Sequence, residues 1–194
     1  KARELGVHER NWIFLHGHCA LSAPELLARP DLGSSPAAGL ALDTALERAG
    51  IGEKQVRYFD FDHCFPIAVF NSAVDALGIS LDDRRGLTVE GGLPHFGNLG
   101  NNRSLYSLVP MVAALRDAPT SFGLIAACGG AMSKYAVGVY STNPRDWCEY
   151  DDAPLQSSLD SNPTVALVSE ADGVGTVETY ALIHDGNGDP HYAI

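Results

Sequence analysis

The chain has 194 residues, of which 45% are hydrophobic and 19% are charged, and its formal net charge is −11. This apolar content is typical of a folded domain and excludes an intrinsically disordered chain. The acidic balance repels phosphate backbones, so we expect no nucleic-acid partner. We also expect no membrane span, because no run of about 18 apolar residues occurs.

The cysteines indicate the compartment. They are widely spaced and form no CxxC pair, and a chain of this length can build a core without disulfides. The first ten residues carry no apolar signal segment. We therefore expect free thiols and a cytoplasmic protein. The four are Cys19, Cys64, Cys128 and Cys148.

The first half of the chain alternates strand and helix patterns. Residues 11–20 (NWIFLHGHCA) and 56–61 (VRYFDF) are predicted strands. Ser34, Ser35 and Pro36 are typical of a helix start, and Gly50 of its end. A second helix is predicted over 66–77.

The alternation continues to residue 141. A short strand is predicted over 86–90, a glycine-rich loop over 91–102 and a helix over 104–116. Strands over 122–127 and 135–140 flank a tight turn and predict a hairpin. The pattern predicts an α/β fold with a mixed five-stranded sheet, largely parallel with an antiparallel edge, and helices on its faces.

The composition changes after Ser141, which predicts three parts. Residues 1–141 form the α/β domain, and 142–164 form a surface connection. Residues 165–194 begin a small β unit, with strands over 165–169 and 176–184 and a turn signal at 185–188.

Four loops are predicted at strand ends, where functional residues of open α/β sheets gather. They are residues 16–19 (HGHC), 62–65 (DHCF), 91–102 (GGLPHFGNLGNN) and 127–130 (ACGG). Nearby helix-start amides can stabilise a thiolate. The alternative is that each cysteine is a small buried hydrophobe.

The histidines allow similar alternatives. His16 and His18 share a strand face beside Cys19, but no further ligand pair has metal spacing, so we predict no metal site. His63 and His95 are either hydrogen-bonded structural residues or members of the site. The loop at 91–102 lacks a dinucleotide fingerprint, and no P-loop or GxSxG elbow occurs. The residues alone predict an α/β domain with a thiol-bearing, glycine-lined cleft.

The order of these segments resembles the C-terminal half of a thiolase over residues 1–141. The quoted matches are SPAAGLALDTALERAGI, YFDFDHCFPIAV, TVEGGLPHFGNLGNN and GLIAACGGAMSKYAVGVYST. The chain resembles acetyl-CoA acetyltransferases and sterol-carrier-type thiolases, and 176–194 resembles the start of the added, OB-like β domain of the acetyltransferases.

The resemblance implies an acyl-CoA acyltransferase that forms or cleaves a carbon–carbon bond at a coenzyme A thioester. Such enzymes need a nucleophilic thiolate, a thiol acid/base and oxyanion donors, and bind no covalent cofactor. In these enzymes the nucleophilic cysteine lies in the N-terminal half of the chain. We therefore expect another chain to supply it, in a homo- or hetero-oligomer.

The family roles map onto particular residues of this chain. Cys64 resembles the acid/base of the HDCF turn, with His63 and Asp62 in swapped order. Cys128, with Gly129 and Gly130, resembles the alternative CxG loop.

The glycine-rich loop is the third match. Gly97 keeps the family spacing, but Asn98 stands where a histidine is expected, and an amide can donate to an oxyanion but cannot act as a base.

Two functions follow from this mapping. The first is the acyltransferase, with Cys64 as the first choice for acid/base, and with Cys64, Asn98 and Cys128 in one cleft near His63 or His95. The second is a non-catalytic thiolase-fold module that binds acyl-CoA or lipid or scaffolds a complex, favoured by the missing histidine.

Overall fold

A computed structural model describes residues 1–97 and 100–193. Its centre is a mixed sheet of four strands: β1 (Phe14–Ser22), β2 (Val56–Phe61), β3 (Phe122–Gly129) and β4 (Lys134–Ser141). They lie in the order β1-β4-β3-β2. Strands β2 and β3 are parallel, whereas β4 pairs antiparallel with both β3 and β1.

Helices cover both faces of the sheet because successive strand residues point to opposite sides. On one face Leu124 and Ala126 join a core built on helix α1 (Pro36–Ala49). On the other face Ile125 packs with Met111 and Leu115 of helix α4 (Arg103–Asp117). The predicted α/β class and mixed sheet with helices are confirmed.

The strand predicted over 86–90 is wrong, so the sheet has four strands and not five. The segment does lie beside β2, where Leu87 accepts a hydrogen bond from the Phe61 amide. Two residues later, the Val89 amide donates to the Asp60 carboxylate instead of continuing a ladder. Two of the three strand pairings are antiparallel, so the expected largely parallel sheet is also wrong.

The helix predicted over 66–77 has two parts. Helix α2 (Pro66–Val69) continues as a π-helix over Phe70–Ala76. Ser72 lies within the wider turns, donates to the Ala68 carbonyl and is hydrogen-bonded to the Tyr135 hydroxyl of β4. The remaining short helices are α3 (Leu93–Phe96) and the 3₁₀ turns Glu9–Asn11, Leu26–Ala28, Glu53–Gln55 and Gly100–Asn102.

The predicted connection contains a helix, α5 (Ala153–Asp160), which lies along the outer edge of β1. Asp152 accepts a hydrogen bond from the Ala20 amide at 3.0 Å. The Gln156 side chain accepts from the Ser22 amide and donates to the Ser22 carbonyl, at 2.8 and 2.9 Å. Side chains thus satisfy edge groups of β1 that no strand pairs.

The C-terminal residues form a separate antiparallel pair, β5 (Leu182–His184) and β6 (Pro190–Ala193). The turn between them agrees with its sequence signal, since Asp185 accepts hydrogen bonds from Asn187 and Asp189. The strand predicted over 165–169 is wrong, as is the start of the one predicted over 176–184, because residues 165–169 and 176–181 pair with no strand of the described chain. The three-part division at 141 and 164 stays a prediction.

Within residues 1–97 and 100–193, every helix is too short or too polar to span a bilayer.

Candidate functional site

The carboxyl ends of three strands meet at one edge of the sheet. Strands β1 and β3 both run opposite to β4, and β2 runs with β3, so Ser22, Phe61 and Gly129 end at the same side. A cleft of about 540 Å³ opens there. Its lining includes Asp62, Cys64, Cys128, Gly129, Gly130 and Lys134.

Asp62 links the two thiol-bearing segments. Its backbone amide donates to the Ala126 carbonyl, which extends the pairing of β2 with β3 by one residue. One carboxylate oxygen, Oδ1, accepts the Cys64 amide at 3.0 Å, and Oδ2 accepts the Cys128 amide at 3.2 Å. The buried carboxylate therefore holds both cysteine backbones at one point of the cleft.

The surroundings of Cys128 keep its thiol protonated. Burial, the negative charge of Asp62 and the nearby Cys64 together raise the pKa of Cys128 to about 12, with burial as the largest cause. Burial also raises the pKa of Tyr135, which pairs with Cys128 across β3 and β4. With a pKa this far above neutrality, the Cys128 thiol is protonated at pH 7.

A second polar group lies beside the cleft, around the buried Arg103 at the start of α4. Arg103 donates to Ser107 and lies 3.4 Å from Asp60 Oδ1, which also accepts the Ser107 hydroxyl at 2.6 Å. Arg103 Nη2 lies 2.9 Å from Nδ1 of His63. This network attaches the turn after β2 to helix α4.

Glu90 completes the network in a low-dielectric position. Its side chain is 1% exposed and forms an ion pair with Arg103, but neither carboxylate oxygen accepts a well-aligned hydrogen bond within the described residues. Burial raises the pKa of Glu90, and the charge of Asp60 adds to that effect against the opposing charge of Arg103. Two carboxylates thus share one guanidinium.

The structure brings four of the predicted site residues into the cleft: Cys64, Cys128, Gly129 and Gly130. The His63 ring does not line the cleft but contacts Arg103, which does, and it lies 2.9 Å from the Phe61 carbonyl. His95 is exposed on helix α3, and Gly97 ends that helix at φ +73°. Asn98 lies outside the described residues.

Two predicted loops belong partly to strands. The HGHC segment lies within β1, which continues to Ser22. Both histidines contact the segment that follows β4. His16 bonds to the Asn143 carbonyl, and His18 stacks on Trp147. Cys128 and Gly129 are the last residues of β3, so only Gly130 of that set begins a turn.

Sequence reasoning did not assign roles to Asp62, Arg103 or Glu90. A signal existed for Asp62, because aspartate directly after a strand often accepts hydrogen bonds from amides of the following turn. No local signal marks Arg103 and Glu90, since their pairing depends on how α4 packs against β2.

We compared the chain with known protein families, curated proteins and solved structures. No protein-family model matches the chain, and no curated protein matches it. Among solved structures, the chain is 45% identical to the monomeric SCP2-thiolase-like protein type 1 of Mycobacterium smegmatis, with a TM-score of 0.88. That alignment covers 97% of this chain and 45% of the other.

A second solved structure is the peroxisomal 3-ketoacyl-CoA thiolase of Saccharomyces cerevisiae. It is 16% identical, with a TM-score of 0.49, over 66% of this chain and 34% of that one. This likeness supports no further argument.

The sheet, the helices and the cleft at the strand ends define an α/β domain of the thiolase-like fold. The chain is a thiolase-like protein. It spans less than half the length of the Mycobacterium smegmatis protein that it resembles. Its correspondence to the C-terminal half of a thiolase stays a prediction.

Proposed function

We propose that the chain provides the proton-transfer part of an acyltransferase site for coenzyme A thioesters. The observation that carries this proposal is the convergence of Cys64 and Cys128 on the Asp62 carboxylate inside one cleft. An acyl group in that cleft would lie beside two thiols from two different segments. The reaction class is carbon–carbon bond formation or thiolysis, of the acetyl-CoA acetyltransferase type, in the cytoplasm.

The chemistry needs an acid/base at the α-carbon of the thioester. Cys64 is the first choice for this role, in the turn that resembles the family motif. Cys128, whose pKa is raised to about 12, is the second choice, since a neutral thiol can return a proton to an enolate. Asn98 is proposed as the oxyanion donor, assisted by the turn at Gly129 and Gly130.

A complete transfer also needs a nucleophilic thiolate from a second thiolase half. We propose that a separate chain supplies this thiolate. The Mycobacterium smegmatis relative is described as monomeric, which gives that source no support.

A second candidate function is acyl-CoA or lipid binding without turnover. Two observations favour it: the raised pKa of Cys128, and asparagine at position 98 where the resemblance expects histidine. A cleft of the same shape would then hold the acyl group and leave it unreacted.

The test is exchange of the α-protons of acetyl-CoA in D₂O, because this step requires the acid/base but no nucleophile. Mass spectrometry follows deuterium uptake, and calorimetry measures binding in parallel. We expect exchange above the protein-free rate and a loss of about a hundredfold or more in Cys64→Ala. Cys148→Ala, at an exposed cysteine outside the cleft lining, is the matched control and should exchange normally.

The outcomes separate the two functions. Loss in Cys128→Ala with normal exchange in Cys64→Ala would reverse the choice of thiol. Binding without exchange in the unmutated protein would support the binding module, and absence of binding would contradict both proposals.

A further inference from the structure

A second cavity of about 370 Å³, which shares no lining residue with the thiol cleft, lies between the segment after β1, the start of α1 and the end of α5. Its walls are mostly apolar and include Ala23, Pro24, Pro36, Ala37, Leu159 and Pro163. Cavities that bind small ligands begin at about 300 Å³ and combine apolar walls with a few polar groups.

The polar group in this cavity is Arg29, which is only 7% exposed. Its Nε donates to the Pro24 carbonyl at 2.9 Å, and one terminal nitrogen, Nη2, donates to the Met132 carbonyl at 2.5 Å. No carboxylate of the described residues forms an ion pair with it, and its other terminal nitrogen, Nη1, makes no hydrogen bond there. Guanidinium stays charged in proteins, and a buried charge without a counter-charge is costly.

The start of helix α1 adds positive potential to the same cavity. Ser35 caps the helix by accepting the Ala38 amide, whereas the amide of the buried Ala37 donates to no acceptor in the described part of the chain. A helix of 14 residues carries a partial positive charge at this end. A buried guanidinium and a helix start therefore face one apolar cavity.

Asp31 limits the charge that the cavity accepts. Its carboxylate lies on the rim, is exposed and accepts the Gly33 amide at 2.8 Å. At the same distance this negative charge repels a dianion such as a phosphate monoester about twice as strongly as a monoanion, so the cavity favours a monoanion beside Arg29.

We infer that this cavity binds an aliphatic carboxylate. The head group lies between Arg29 and the start of α1, where it accepts charge-assisted hydrogen bonds. The alkyl chain runs along Ala23, Leu159 and Pro163, whose apolar walls exclude water. The site is distinct from the thiol cleft and does not depend on the proposed acyltransferase function.

Octanoate and octanol test the inference directly, because they share one tail and differ in head-group charge. We expect octanoate to bind at least about tenfold more tightly than octanol in calorimetry. Arg29→Gln should remove that preference. Arg57→Gln, at an exposed arginine outside the cavity lining, should leave it unchanged.

Amide chemical shifts in the unmutated protein locate the ligand whether or not Arg29→Gln folds. Octanoate should shift the amides of Ala37 and Leu159. Shifts confined to Cys128 and Gly129 would place the ligand in the thiol cleft and overturn the inference, as would equal affinity for octanol. The Cys64→Ala, Cys128→Ala double variant should still bind octanoate. Failure of the acetyl-CoA exchange assay would therefore not affect the conclusion about this cavity.

Discussion

At the scale of single residues, Asp62 determines the state of the candidate site. A carboxylate that accepts two backbone amides fixes two segments with one side chain, and it does so while buried. The same negative charge opposes ionisation of the neighbouring thiol. The geometry of the cleft therefore depends on Asp62, and the protonation of Cys128 depends on burial together with the Asp62 charge.

Replacement of this charge should make Cys128 more reactive. In Asp62→Asn the side chain keeps its size but loses its negative charge and one of its two acceptor oxygens, so the pKa of Cys128 should fall from about 12. A decrease of one pKa unit gives about tenfold more thiolate at a fixed pH well below the pKa. Alkylation by iodoacetamide at pH 8.5, followed by peptide mass spectrometry, measures the change.

The exposed Cys148 provides an internal reference in the same sample. We expect the ratio of Cys128 to Cys148 labelling to rise in Asp62→Asn. An unchanged ratio would show that burial alone sets the ionisation of Cys128.

Sequence reasoning could place the cysteines at the cleft and His63 near it, but it could not predict the contact of His63 with Arg103. Strand order and direction bring Cys64 and Cys128 to one edge, which follows from alternating elements. His63 follows Asp62 by one residue, yet its ring contacts Arg103 of a helix 40 residues later. Whether the His63 ring lies in the cleft or against Arg103 depends on tertiary packing, and the local sequence motif does not encode that packing.

At the scale of secondary-structure elements, the contact between β1 and α1 depends on a glycine. A Cβ at Gly17 would meet the Ala45 carbonyl oxygen and, at 2.7 Å, the Ala49 nitrogen. Both atoms are backbone and cannot turn aside as a side chain can. The close approach of strand and helix therefore requires a residue without a side chain.

Two glycine-to-alanine variants test this contact. Gly17→Ala should lower the free energy of unfolding by about 3 kcal/mol, the upper part of the range for overpacked cores. Gly39→Ala, within α1, meets nothing closer than the Ala76 Cβ at 3.9 Å and should raise it by about 0.5–1 kcal/mol. Urea unfolding compares both with the unmutated protein, and equal effects would contradict the packing argument.

Sequence signals were sufficient for elements with local start and stop residues. Ser35, Pro36 and Gly50 fixed the bounds of α1, including the left-handed cap at Gly50. The segment 86–90 has the composition of a strand, but the Asp60 carboxylate competes for its backbone amide. That competitor is a neighbour in space alone, and the π-helical turns after α2 likewise have no local signature.

At the scale of the whole molecule, the described chain divides into a packed part and an exposed part. Residues 170–181 form no helix or strand and are exposed throughout. We expect endoproteinase Glu-C to cleave first after Glu170 and Glu178. Glu90, whose side chain is buried, should resist cleavage under the same conditions.

The product ending at Glu170 should keep the circular dichroism and unfolding midpoint of the intact chain, because α5 and the sheet remain together. Simultaneous loss of structure would contradict the predicted boundary near residue 164. Mass spectrometry of a time course identifies the order of the cuts.

The contacts of Asp152 and Gln156 with β1 have a consequence for self-association. An unpaired strand edge is a template on which another chain can add a strand, and proteins limit this hazard by covering or charging such edges. Here two side chains more than 130 residues downstream occupy the donors and acceptor at Ala20 and Ser22. Intermolecular β-sheet growth from this end of β1 must first displace helix α5.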